Sequence, residues 1–121
     1  MPQAPGLRPL LQGVLDRDDA EKGGAMPKYV TLINWTDQGV KNFKETTARA
    51  ADAAAAFEKA GGKLTVYWTL GSCDIVTIAE APDDETATAI LLQLGSLGNV
   101  RTQTMRAFDT EEMSGIIAKT A

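Results

Sequence analysis

No histidine occurs among the 121 residues of this chain, and Cys73 is the single cysteine. Without an imidazole, the commonest general base and the commonest metal ligand are missing. Serine and cysteine triads, histidine-containing zinc sites and histidine-ligated haem are therefore beyond what this chain can build by itself. A lone thiol has no internal disulfide partner. Basic residues are also few and scattered: 12 Lys and Arg stand against 16 Asp and Glu, for a net charge of −4. Neutralising phosphates takes clustered cations, so no nucleic-acid partner is expected. No stretch approaches the roughly 18 apolar residues of a membrane span, so none is expected to enter a bilayer. Neither a metal nor a cofactor is expected.

What remains is an ordinary globular composition, 44% hydrophobic and 23% charged, in a length that suits one domain. Residues 1–25 differ in texture, with Pro2, Pro5, Pro9 and the charged run Asp16 to Lys22, and read as a flexible extension. Their apolar run is short, is broken by Gln12 and Gly13, and precedes acidic residues, which makes a poor signal peptide. A cytoplasmic location is expected. Residues 26–121 then form the folded domain.

Lys28 to Trp35, KYVTLINW, is rich in β-branched and aromatic residues and reads as a strand. Thr36 or Asp37 caps a helix of about six turns on which Val40, Phe43, Thr47, Ala50, Ala54 and Phe57 share a stripe, ended by Gly61-Gly62. Its alanine-rich middle predicts close approach to a sheet beneath. Lys63 to Ala79 reads as two strands joined by a tight hairpin at Gly71-Ser72. Pro82-Asp83-Asp84-Glu85 starts a second helix with buried stripe Ala87, Ile90, Leu91, Leu94 and Leu97, ending at Gly95 or Gly98. A strand from Val100 to Phe108 follows, and Asp109 with Glu112 predicts a capping box on a last helix.

This order, βαββαβ, predicts a ferredoxin-like α+β sandwich: an antiparallel four-stranded sheet with both main helices on one face, plus a C-terminal helix. The other face is expected to carry Thr65, Tyr67, Thr69, Thr102 and Thr104 together with Ile33 and Trp35. That mixture is too apolar for a water-facing sheet, so a second subunit is expected to cover it.

Three segments, MPKYVTLINWTDQGVKNFKET, TLGSCDIVTIAEAPDDE and LGSLGNVRTQTMRAF, resemble the GYD-domain proteins, a family assigned to the dimeric α/β-barrel superfamily. The resemblance covers about residues 26 to 110. It implies a homo-oligomer, a dimer or larger, in which two sheets face each other across a barrel. At the naming motif Gly71 is followed by Ser72, Cys73 and Asp74, so Cys73 replaces the family tyrosine beside a retained Asp74.

Four residues stand out as candidates. Asp74 is the one sensible catalytic acid-base group, although a carboxylate after a turn more often holds main-chain N–H groups. Trp35 and Tyr67 are aromatics suited to line a ligand cavity, with core or interface packing as the plainer reading. Arg106 can hold an acidic ligand or form an intersubunit salt bridge with Asp74 or Glu80. Cys73 reads as a small turn residue. The leading expectation is a small organic ligand bound in the cavity between sheets. Two alternatives stay open: a cofactor-independent enzyme, monooxygenase- or isomerase-like, acting on a small aromatic or carbonyl compound, and a structural or regulatory oligomerisation module.

Overall fold

The computed structural model describes residues 26–120. The proposed flexible extension, residues 1–25, lies outside them. Residues 26–107 form one compact unit. It contains β1 (Lys28–Trp35), α1 (Asp37–Lys41), a 3-10 turn at Phe43–Glu45, α2 (Thr46–Lys59), β2 (Lys63–Trp68), β3 (Ile75–Glu80), α3 (Asp84–Ser96) and β4 (Val100–Ala107). The four strands pair antiparallel in the order β2-β3-β1-β4, so the first and third strands are central and the fold is ferredoxin-like. Helix α4 (Thr110–Ile117) belongs to a separate unit. It opens on the expected capping box: Glu112 N donates to Asp109 Oδ1 at 2.8 Å, and Asp109 N donates to Glu112 Oε1 at 2.9 Å. Among the described residues no helix is long and apolar enough to cross a membrane.

Side-chain alternation decides what each strand shows to the helices. Tyr29, Thr31 and Ile33 of β1 are buried and meet Ala79, Thr77 and Ile75 of β3 in register. Phe57 of α2 and Ala87 of α3 close over Tyr29, Ala79 and Ala81, with Leu64 and Ile90 packed against them. Burying a Phe side chain of this kind contributes about 2–3 kcal/mol.

Three expectations are corrected. The first is the single six-turn helix, which is broken at Asn42 into α1, the 3-10 turn and α2. A docking contact sets the break: Thr36 N donates to Asn99 O at 3.0 Å, and Gln38 Nε2 donates to Leu97 O at 3.0 Å and to Asn99 Oδ1 at 2.9 Å. Gly39 lies so close that a Cβ there would sit 1.9 Å from Asn99 O. The break shifts the helical phase, leaving Val40, Phe43 and Thr47 exposed while Thr46, Arg49, Ala50, Ala53 and Phe57 turn inward. The second is the tight hairpin, which is instead a six-residue connection from Thr69 to Asp74. Thr69 Oγ1 donates to Cys73 O at 2.7 Å, closing the loop, and Leu70 stands fully exposed on it, away from the face of Val66 and Trp68. The third concerns the faces: Ile33, Trp35, Thr102 and Thr104 lie on the helix side, in register with Ile75, Val100 and Thr31, and not beside Tyr67.

Candidate functional site

Within residues 26–107 no helix packs on the opposite sheet face. Its residues stand in cross-strand rows. Thr65, Ile78, Val30 and Met105 make one, and Tyr67, Val76, Leu32 and Gln103 make the next. At one end the row Lys63, Glu80, Lys28, Ala107 supplies charge, with Lys63 Nζ 3.7 Å from Glu80 Oε2; at the other end stand Asn34 and Arg101. The result is an apolar band with a polar border at both ends. Tyr67 is 55% exposed, Ile78 47% and Met105 41%. Large apolar side chains gathered in one band mark a contact surface, whereas scattered ones are ordinary.

The residues singled out from sequence do not converge. Tyr67 is on the open face and Trp35 is on the helix side. Asp74 lies at the end of the β2–β3 connection, where its Oδ2 accepts from Trp35 N at 2.9 Å and its own N donates to Ile33 O at 2.9 Å. Its carbonyl accepts from Thr69 N at 2.9 Å, so this one residue ties the ends of three strands together. Truncating it leaves the Trp35 N–H without its acceptor. Asp74→Ala is expected to lose about 1–3 kcal/mol in urea denaturation, with Asp74→Asn retaining most of the stability.

Within the chain Arg106 is paired with Asp84. Its Nε lies 3.4 Å from Asp84 Oδ1, whereas Glu80 pairs with Lys63 and Asp74 holds Trp35. The Arg106 guanidinium also sits 5.8 Å from the centre of the Tyr29 ring, a cation–π distance. Tyr29 donates its hydroxyl proton to Asp84 Oδ1. This trio was missed from sequence. A signal was present: Asp83 alone caps α3, accepting from Thr86 N at 2.7 Å, which leaves Asp84 available for another task. A groove of about 420 Å³ lies beside the trio, bordered by Thr88 and Leu91 of α3 and Thr102 and Thr104 of β4.

Burial, and then the hydrogen bond to Asp84, push the Tyr29 hydroxyl from 10.0 up to about 12, against a smaller opposing pull from Arg106. Between those values the unfolded chain has lost the proton and the folded chain still holds it. Stability is therefore fully present below pH 10 and falls as pH rises towards 12, by about 2–3 kcal/mol in all. Urea midpoints measured from pH 9 upward should show this decline, and Tyr29→Phe should flatten it. Asp83 shifts the other way, lowered by its hydrogen bond from Thr86.

Comparison with known proteins identifies the family of this chain. A family model, the GYD domain, matches residues 29–117. A Thermus thermophilus protein named glutamine synthetase and cystathionine beta-lyase binding protein is 30% identical over 90 residues, which is 73% of this chain and 95% of that protein. Among solved structures, an Arabidopsis thaliana protein aligns with a TM-score of 0.49 at 11% identity, over 69% of this chain and 95% of its own. A dimeric ferredoxin-like protein from an uncultured marine organism aligns with a TM-score of 0.37 at 16% identity, over 69% and 96%. The match across most of the chain, together with the breadth of the similarity to the Thermus protein, places this chain in the GYD-domain family.

Proposed function

We propose that this chain is a protein-binding module that works as a homodimer, its two copies joined through their open sheet faces. The observation that carries this is the band of Tyr67, Val76, Leu32, Ile78, Val30 and Met105, apolar through its middle and bordered by charged residues at both ends. Two sheets packed face to face stand about 10 Å apart, and inner side chains of this size interdigitate at that spacing. Self-association removes an apolar face from water, which accounts for its presence on a chain that otherwise carries a net charge of −4. The assembled dimer then offers its helical exterior to another protein. The name of the Thermus relative, which binds two enzymes, supports that reading for this chain.

The same geometry favours an interface over a ligand cavity between the sheets, because the large side chains of Tyr67, Ile78 and Met105 project from that face. An enzyme built on Asp74 is disfavoured by the work its carboxylate already does at Trp35 N. We place the module in the cytoplasm, where the Cys73 thiol stays reduced. Native mass spectrometry is the test. The expected species has twice the 12.9 kDa chain mass and retains no small molecule. A retained compound at one per chain would move the reading back to a ligand-binding cavity.

A further inference from the structure

Strand β4 closes one edge of the sheet and, among the described residues, pairs with β1 alone. In an antiparallel ladder only alternate residues bond to the neighbouring strand, and those between them turn both main-chain groups the other way. The phase is set at the end of the β1–β4 ladder, where Thr36 N donates to Asn99 O at 3.0 Å. Carried along the register, it makes Asn34–Arg101, Leu32–Gln103 and Val30–Met105 the bonded pairs. The β1–β3 ladder agrees, since Ala81 N donates to Pro27 O at 3.2 Å and so turns the odd-numbered residues of β1 towards β3. Thr102 and Thr104 therefore direct their N–H and C=O groups outward, past the last strand of the sheet.

An edge of this kind is a template for pairing, and proteins commonly blunt it with charge or proline. From Thr102 to Met105, TQTM, β4 carries neither. Beside this edge lies the groove of about 420 Å³, bordered by Thr102 and Thr104 of β4 and by Ala87, Leu91 and Leu92 of α3. It thus lies between an edge strand and a helix, and the same two threonines supply both the edge and one wall. Its charge is confined to one end. There the start of α3, Asp83-Asp84-Glu85, sets three carboxylates against the guanidinium of Arg106, whereas Thr86 to Val100 carries no charged residue.

We propose that this groove is a docking site for an extended segment of a partner protein, which adds to β4 as a fifth strand. The proposal rests on the reading of the chain as a protein-binding module and specifies the element that the partner supplies. Main-chain bonds to Thr102 and Thr104 give affinity, and side chains at alternate positions, about 6–7 Å apart, give specificity. Apolar side chains suit the groove, whose walls are Ala87, Leu91 and Leu92. A Lys or Arg at one end of the segment complements the acidic start of α3. A helix is a poor occupant, because its own N–H and C=O groups are spent internally and leave the edge unsatisfied. A second copy meets the chain through the open face in the dimer proposed above, which leaves this edge to another protein.

A display library of random dodecapeptides, selected on the full-length protein, supplies the probe. Enriched peptides should alternate apolar and polar residues and carry a Lys or Arg at one end. The best binder is then added to 15N-labelled protein and main-chain hydrogen exchange is followed. Before addition the Thr102 and Thr104 amides should exchange fast and those of Gln103 and Met105 slowly. With the peptide bound, Thr102 and Thr104 should slow by about tenfold or more while the other two hold. Thr104→Pro removes an N–H that the β1 ladder does not use, and edge strands tolerate proline at such positions. It and Leu92→Asp should each weaken the peptide about tenfold. Should Thr104→Pro melt well below wild type, Leu92→Asp carries the comparison. Peptides with helical spacing, protection that leaves Thr102 and Thr104 exchanging fast, or full affinity in Leu92→Asp would overturn the inference. So would Thr102 and Thr104 amides already protected in the protein alone, with a second copy as the occupant. Failure of the dimer reads separately: a species of twice the chain mass that selects no strand-like peptide loses this site and keeps its interface, and a monomer that binds the peptide does the reverse.

Discussion

Replacing Gly62 by alanine is expected to cost more than about 3 kcal/mol. A Cβ at this position would lie 1.8 Å from Glu80 O and 2.7 Å from Glu80 C, and both atoms are main chain. A side chain can swing away, but this carbonyl cannot. It belongs to the end of β3, which pairs with β2 at Lys63–Glu80 and with β1 at Lys28–Glu80. Relieving the clash therefore means displacing a central strand across both of its ladders. In thermal melts the variant should lose at least about 12 °C, taking about 4–8 °C per kcal/mol for a domain of this size. Gly95→Ala is the control. Nothing lies within 4 Å of its added Cβ, and it sits inside α3, so the exchange should stabilise by about 0.5–1 kcal/mol. A Gly62→Ala protein that melts within a few degrees of wild type would mean that β2 does not approach β3 as closely as described.

Placing a carboxylate in the middle of the apolar band should dissociate the proposed dimer. Ile78 is flanked in its row by Thr65 and Val30, and it is 47% exposed in the single chain. Ile78→Asp therefore costs an isolated chain little, since the carboxylate reaches water. Between two sheets the same group is buried without a partner, at about 3–5 kcal/mol, and two-fold symmetry places one such group in each copy. The dissociation constant should rise by at least about a thousandfold, as each 1.4 kcal/mol is a factor of ten. Size-exclusion chromatography with light scattering reads the outcome directly. Leu92→Asp, on α3 and 69% exposed, is the matched control and should leave the oligomer unchanged. Dissociation by Leu92→Asp and not by Ile78→Asp would move the interface to the helical side.

Local signals carried much of this architecture in the sequence. The eight residues of β1 were legible from their β-branched and aromatic side chains, the start of α3 from Pro82-Asp83, and the capping box of α4 from Asp109 and Glu112, because each depends on residues within one turn or one strand. The break at Asn42 was not legible, since Asn99, nearly sixty residues away, imposes it through Thr36 and Gln38. Alternation also shows which residues share a face without showing which face the helices cover. That choice is made by register, Ile33 against Ile75 and Trp35 against Val100, and it put Trp35 under the helices with Tyr67 on the other side. The candidate site residues fared accordingly. Asp74 was readable as a holder of main-chain N–H groups, because a carboxylate following a turn has few other options. The Tyr29, Asp84 and Arg106 trio draws one residue from each of three elements, and no short-range pattern joins them.

We propose that the apolar sheet face exists to meet a second copy of itself. Sedimentation equilibrium of the wild-type protein across a wide concentration range tests it most directly. A species of twice the 12.9 kDa chain mass that persists into the low micromolar range is the predicted result. A monomer at every concentration would contradict the account and leave Tyr67, Ile78 and Met105 facing water.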